Sequence, residues 1–155
     1  RVEDRGVAAG GLVFAERGPE LSRNFKARKA WMTLKAEGTD RIAAVIEQNV
    51  AQARRFGALV GTVPDVVLAA TVSLNVACWR IAPAGTTPEQ QDMLTREVLL
   101  RLQETGVAVC SGTVVQGRAV IRLAVANHRS RWADFEQLLA ALPAVIADAR
   151  QHAGI

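Results

Sequence analysis

Residues 107–126, Val-Ala-Val-Cys-Ser-Gly-Thr-Val-Val-Gln-Gly-Arg-Ala-Val-Ile-Arg-Leu-Ala-Val-Ala, decide the fold of this chain. Two apolar runs, 107–115 and 118–126, are separated only by Gln116 and Gly117. A two-residue connection that contains glycine is typical of a tight β-hairpin, because glycine readily adopts the positive φ that such turns require. The stretch therefore predicts two antiparallel strands.

A second pair of strands is indicated upstream of this hairpin. Residues 66–68 form a short β-branched run, and residues 73–81, Ser-Leu-Asn-Val-Ala-Cys-Trp-Arg-Ile, form a longer one. Successive side chains of a strand point to opposite faces of a sheet, which places Cys78 on one face and Trp79 on the other. The sequence thus predicts a sheet of about four strands.

Amphipathic segments surround these strands. Apolar residues at spacings of three and four predict helices, and Thr87 and Gln90 match the two ends of a capping box at the start of the third. We expect the fourth helix to be interrupted or restarted at Pro143, because proline removes a backbone hydrogen bond. The predicted helices span residues 20–37, 40–61, Pro88 to a stop at Gly106, and 131–151.

The order α-α-β-β-α-β-β-α predicts an α+β domain, in which an antiparallel sheet carries helices packed on one face. Glycine and alanine are frequent in residues 1–18, which predicts a mobile or extended loop. We divide the chain into this loop, a linker helix at 19–38 and a small domain at 39–155.

Composition excludes several classes of function. The chain has 155 residues, 50% of them hydrophobic, and a net charge of +4. The basic residues are scattered around solvated helix faces without interleaved aromatic residues, which disfavours binding to nucleic acid. No apolar run reaches the about 18 residues that span a bilayer, so we expect no membrane association. Cys78 and Cys110 are expected to be reduced core thiols of a cytoplasmic protein, and no metal motif is present.

Four sequence phrases, in this order, resemble those of the pyridoxal-phosphate-dependent group II amino-acid decarboxylases. The first opens the helix that links the large and small domains in that family, although Arg28 stands where leucine is usual. The others resemble an inner strand, a helix-to-strand junction and the closing hairpin strand. The phrases lie at residues 21–31, 73–80, 100–108 and 117–129.

The resemblance implies that this chain is the small C-terminal domain of a fold-type I enzyme that releases CO2 from an L-amino acid and leaves an amine. It implies a large cofactor-binding domain upstream of Arg1, pyridoxal phosphate as cofactor, and a homodimer. The cofactor lysine of the family follows a histidine in the phrase N-x-H-K. None of Lys26, Lys29 and Lys35 follows a histidine, so we expect the chain alone to be an inactive fragment of the enzyme.

Three residues are candidates for the edge of a cofactor or substrate site. Arg23, near the start of a helix, suits a phosphate or carboxylate, or else a structural ion pair. Arg122 lies inside an apolar strand, where either a substrate carboxylate or a structural salt bridge would compensate its charge. His128 lies where the last strand leaves the sheet, either facing a cleft or in a segment that caps the next helix. No residue of the chain is assigned a catalytic role.

Two rival interpretations use the same residues. A free-standing α+β interaction or regulatory module would explain the lack of a catalytic dyad, a metal cluster or a phosphate-binding loop. A nucleic-acid-binding protein is the weaker rival, because its salt-dependent affinity would require clustered charge.

Overall fold

The computed structural model describes residues 25–154. Their elements follow the predicted order and confirm the α+β class. The elements are α1 (Lys26–Glu37), α2 (Thr39–Val60), β1 (Val66–Leu68), β2 (Val76–Ile81), α3 (Pro88–Glu104), β3 (Ser111–Val115), β4 (Arg118–Ala124) and α4 (Trp132–Ala153). The predicted loop at 1–18 and the start of the first predicted helix lie outside the described residues.

The four strands form one antiparallel sheet in the order β1-β2-β4-β3. The predicted hairpin is confirmed: Val115 pairs with Arg118, and the turn residues Gln116 and Gly117 have φ values of 50° and 77°. Two consecutive positive φ values twist the turn in the sense that matches the strands on either side. The hairpin thereby sets the register of the sheet.

The two faces of the sheet differ in burial. Ala77, Trp79 and Ile81 of β2 are fully buried against the helical layer, in which α2 and α3 contact the sheet and α4 packs on both helices. Cys78 and Arg80, which alternate with them, are only half-buried. We call the face that carries Cys78 and Arg80 the open sheet face.

An aromatic cluster joins three elements at the centre of the core. The ring of Phe56 in α2 lies 6.4 Å from that of Trp79 in β2 and 6.2 Å from that of Phe135 in α4, centroid to centroid. Phe56 and Trp79 have no solvent exposure. Such tilted pairs add favourable ring contacts to the burial of apolar area. The expectation that Cys78 and Trp79 point to opposite faces of the sheet is confirmed, with Trp79 on the core side.

The helix ends reflect local sequence. At the start of α3, Thr87 Oγ1 accepts from the Gln90 N–H at 3.3 Å, and Gln90 Oε1 accepts from the Thr87 N–H at 2.8 Å. The predicted capping box is therefore confirmed. None of the helices within residues 25–154 is long and apolar enough to cross a membrane.

The prediction of a break at Pro143 is wrong, since α4 continues through this residue. Pro143 faces solvent, whereas Leu142 and Ile146 on the neighbouring turns are buried in the core. Water can satisfy the carbonyl that proline leaves unpaired, while core packing holds the turns on either side.

Two strands begin later than predicted. Residues 107–110 are held by the end of α3, where the Ala108 N–H donates to the Leu102 carbonyl and Gln103 Nε2 donates to the Cys110 carbonyl. Before β2, the Asn75 side chain donates to the Val125 carbonyl at 3.0 Å. Backbone and side-chain hydrogen bonds to neighbouring segments thus replace part of the regular ladder.

Candidate functional site

Helix α1 exposes large apolar side chains. None of its residues is buried, and α2 is its principal neighbour among the described elements. Trp31 is 60% exposed, so it does not pack in the core of residues 25–154. An indole exposed to this degree is unusual in a soluble domain, because aromatic rings contribute most when they are buried. We call Phe25, Trp31, Met32 and Leu34, which are all exposed, the α1 apolar residues.

The open sheet face carries three arginines. Arg80 lies on β2. Arg118 and Arg122 lie four residues apart on β4, so that both side chains point to this face. Val120, between the two β4 arginines, is only 2% exposed although no described helix covers this face. Val120, Arg80 and Arg118 line the same small recess of about 90 Å³.

The two arginines of the recess differ in their hydrogen-bond partners. Arg118 Nε donates to Asp92 Oδ1 at 3.0 Å, and Arg118 Nη2 donates to Gln91 Oε1 at 3.0 Å. Arg80 Nη1 donates to the same Gln91 oxygen at 3.1 Å. Asp92 therefore neutralises Arg118, whereas no carboxylate within residues 25–154 pairs with Arg80.

Arg122 also lacks a carboxylate partner among the residues that the structure describes. It is exposed, lies opposite Cys78, and donates from Nε to Ser111 Oγ at 3.0 Å. The expected structural salt bridge of Arg122 does not form among residues 25–154. The two terminal nitrogens of its guanidinium group have no protein acceptor within residues 25–154. This pair of nitrogens is the part of an arginine that can bind a carboxylate by two parallel hydrogen bonds.

His128 lies in an exposed turn after β4. Asn127 Oδ1 accepts from the Arg129 N–H at 2.9 Å and stabilises this turn. The cap of α4 comes instead from Asp134, whose Oδ2 accepts from the Arg131 N–H at 2.9 Å. Residues 127–129 thus shape the turn rather than cap the helix, contrary to the capping alternative. Arg23 lies outside the described residues.

Both cysteines are free thiols, as expected. Burial raises the pKa of the Cys110 thiol to about 11. Burial also raises the pKa of the half-buried Cys78 thiol, and the charge of Arg122 partly offsets this effect. Neither thiol is activated, since reactive cysteines have lowered pKa values. No group of potential metal ligands occurs among the described residues.

The lysines test whether this chain fits the covalent site of pyridoxal phosphate. All three lysines of the sequence, Lys26, Lys29 and Lys35, are exposed on α1. A lysine that forms a Schiff base is activated by desolvation in a pocket or by a neighbouring cation. The described residues therefore do not fit the covalent site.

Sequence reasoning did not find the hydrogen-bonded cluster of Arg80, Arg118, Gln91 and Asp92. The alternation of Arg80 with buried neighbours in 73–81 was a usable signal for the open face. Gln91 and Asp92, however, reach the two arginines from α3, 11 and 26 residues away in sequence. Only the tertiary fold brings them together.

Comparison with known proteins gives consistent results in sequence and structure. No protein-family model matches the chain. It is 31% identical over 105 residues to Tyrosine decarboxylase 2 of Arabidopsis thaliana, which covers 68% of this chain and 19% of that protein. It is 31% identical over 98 residues to 4-hydroxyphenylacetaldehyde synthase of Rhodiola rosea, and this match covers 63% of this chain and 20% of that protein. It also superposes on the crystal structure of Oryza sativa TDC with PLP and tryptamine. The TM-score is 0.74 at 28% sequence identity, and the match covers 81% of this chain and 27% of that chain.

The matches cover 63% to 81% of this chain but a much smaller part of each relative. This chain spans only 19% to 27% of the length of the three proteins. The resemblance that the four sequence phrases indicated is confirmed, both in sequence and in the superposition of the fold.

Proposed function

Since this chain has the sequence and fold of the C-terminal small domain of the group II decarboxylases, we propose that it serves as that domain in a pyridoxal-phosphate-dependent amino-acid decarboxylase. The cofactor lysine would be supplied by a large domain of the same enzyme. The observation that carries the proposal is the exposure of the α1 apolar residues beside a well-packed core.

The α1 apolar residues support a large partner domain. Phe25 is 73% exposed and Trp31 is 60% exposed. Covering two aromatic side chains of this size would stabilise an interface by about 2 kcal/mol or more each. The proteins that this chain matches are several times longer than the match, so such relatives contain enough chain to cover this surface.

The reaction that we propose is loss of CO2 from an L-amino acid, with an amine as product. Pyridoxal phosphate, when bound to the large domain, supplies the electron sink for that chemistry. The exposed lysines of this chain support the view that it is inactive alone. Relatives whose names specify tyrosine decarboxylase and 4-hydroxyphenylacetaldehyde synthase favour an aromatic amino acid as substrate.

Three residues are proposed to lie at the edge of the site between the two domains. The terminal guanidinium nitrogens of Arg122, on the open sheet face, have no acceptor among residues 25–154, which suits a substrate carboxylate. His128 lies where β4 leaves the same sheet. Arg23 precedes α1 and would meet a phosphate or carboxylate there. We further propose a cytoplasmic homodimer, as the resemblance implies.

The test is to express the whole protein encoded by the gene that carries this chain and to assay it with aromatic L-amino acids. We expect an N-x-H-K lysine in the reading frame, visible absorbance from bound pyridoxal phosphate, and CO2 with an amine as products. Substitution of that lysine is the control and should abolish both the absorbance and the activity.

Two results would contradict the proposal. A gene that encodes no cofactor lysine would favour the interaction module. An aldehyde as product, in place of the amine, would retain the cofactor and the domain but refute decarboxylation to an amine. Isolated residues 1–155 should show neither absorbance nor turnover in any case.

A further inference from the structure

Arg80 is the feature of the open sheet face that the proposed function does not yet use. Its side chain is half-buried at the wall of the recess, and within residues 25–154 its one hydrogen-bond acceptor is the Gln91 side-chain oxygen. The neighbouring Arg118 has Asp92 as a charge partner and the Pro88 carbonyl as a further acceptor. Among the described residues, Arg80 therefore has no carboxylate partner and keeps unused donors.

The surroundings of Arg80 restrict what can bind it. The recess has Val120 as an apolar floor, and Val67, which pairs with Arg80 across β1 and β2, is 41% exposed beside it. Within residues 25–154, the three guanidinium groups of this face have one carboxylate as a hydrogen-bond partner, that of Asp92. A surface that is apolar at its centre and cationic around it matches a protein surface that carries acidic side chains.

We propose that the recess receives a carboxylate side chain of the large domain, with Arg80 as its ion-pair partner. This inference rests on the proposed function, because it names the contact by which the large domain covers the open sheet face. If that face is covered, a guanidinium without an anionic partner would lose its water and gain nothing in return. A carboxylate at Arg80 removes that cost and fixes the orientation of the two domains.

A protein carboxylate is favoured over a small anion by the shape of the recess. The recess is shallow and open, whereas small-ligand sites enclose most of the ligand surface. A side chain that is held by its own domain does not depend on enclosure. Arg122, farther along β4, remains the candidate for the substrate carboxylate.

Cys78 provides a reporter for this contact. It is half-buried on the open sheet face, on the same strand as Arg80, and its thiol is free. The experiment measures the alkylation rate of Cys78 by iodoacetamide in the full-length holoenzyme, by peptide mass spectrometry, relative to the denatured protein. Cys110, which is 4% exposed inside the helical layer, serves as an internal control.

The variants to compare are Arg80→Gln, Arg80→Lys and Arg96→Gln. Arg96 is an exposed arginine of α3 and is the matched control. We expect Cys78 to be protected in the wild type, and Arg80→Gln to raise its labelling rate about tenfold or more, because loss of one partner leaves the other charge buried. Arg80→Lys keeps the charge and should retain most of the protection. Arg96→Gln should change nothing.

Each other outcome overturns the inference and leaves the proposed function separately testable. Rapid labelling of Cys78 in wild-type holoenzyme would show that the open sheet face is not covered. Protection that survives in Arg80→Gln would show a covered face without this ion pair. A raised KM in Arg80→Gln with intact protection would make Arg80 a substrate anchor. In all three cases the cofactor absorbance and product assay still report whether the enzyme is a decarboxylase.

Discussion

Gly57 of α2 lies so close to Val72 that a Cβ at residue 57 would stand 2.6 Å from Val72 Cγ2. No real Cβ makes so short a contact. Gly57 is buried and has an ordinary helical backbone, so glycine is needed here for space and not for its conformational freedom. The contact sets the distance between α2 and the segment that leads into β2.

Gly57→Ala is expected to destabilise the chain by about 1 to 3 kcal/mol, because the added methyl group must displace Val72 from a packed site. Urea denaturation followed by circular dichroism measures the loss. Gly61→Ala is the matched control: Gly61 has a φ of −68°, and a Cβ at this residue would lie 3.9 Å from its nearest neighbour, the Gly57 carbonyl oxygen. It should be neutral or slightly stabilising, and an equal loss in both variants would contradict the steric explanation.

Phe56→Ala is expected to cost about 3 to 5 kcal/mol, because the ring is fully buried between Trp79 and Phe135. Trp31→Ala should change the free energy of unfolding of this chain by about 0.5 kcal/mol at most, since Trp31 is 60% exposed. Thermal unfolding of the two variants provides the comparison. In the full-length protein, a clear loss from Trp31→Ala would support its burial against the large domain.

Thr87→Ala is expected to destabilise the chain by about 1 kcal/mol, because it removes the side-chain acceptor of the capping box at the start of α3. Thr87→Ser retains an acceptor oxygen and should preserve most of the stability. Chemical denaturation of the two variants measures the loss in the free energy of unfolding of each. Equal losses in the two variants would indicate that the threonine methyl group, and not the hydroxyl oxygen, matters.

The buried thiol of Cys110 predicts a loss of stability at alkaline pH. Its pKa is raised from 9.0 to about 11 in the folded chain, so the unfolded chain releases the proton first. The protonated Cys110 thiol therefore contributes at most about 2 to 3 kcal/mol to the free energy of unfolding. This contribution is fully present below pH 9.0 and is lost as the pH rises towards 11.

Unfolding free energies of the wild type and Cys110→Ala, measured between neutral and alkaline pH, test this linkage. We expect a steeper decline for the wild type. Parallel curves would mean that the Cys110 thiol ionises equally easily in the folded and unfolded chains. Cys78 lies on the open sheet face and stays in place in both proteins, so it does not distinguish them.

Much of the fold could be predicted because its signals are local. The hairpin follows from Gln116 and Gly117, and the start of α3 follows from Thr87 and Gln90. Each depends on residues within a few positions of one another. The break expected at Pro143 failed because burial of the neighbouring turns, a property of the whole core, outweighs a single lost hydrogen bond.

The candidate site was less predictable. Arg122 was identified from its place in an apolar strand, but its partner, Ser111, depends on the register of β3 and β4. The cap expected from residues 127–129 comes instead from Asp134. A polar side chain can form hydrogen bonds of similar free energy with several backbone and side-chain partners. The sequence alone does not indicate which of these hydrogen bonds forms.

The sequence by itself determined the order of the elements, the antiparallel hairpin and the family resemblance, because each is encoded in short patterns of adjacent residues. Only the tertiary structure decided that α1 keeps Trp31 exposed, that one face of the sheet stays open, and that Arg80 is left without a carboxylate partner among residues 25–154. Exposure and charge balance depend on which elements pack together, and that packing brings Gln91 and Asp92 of α3 to the end of strands far away in the chain.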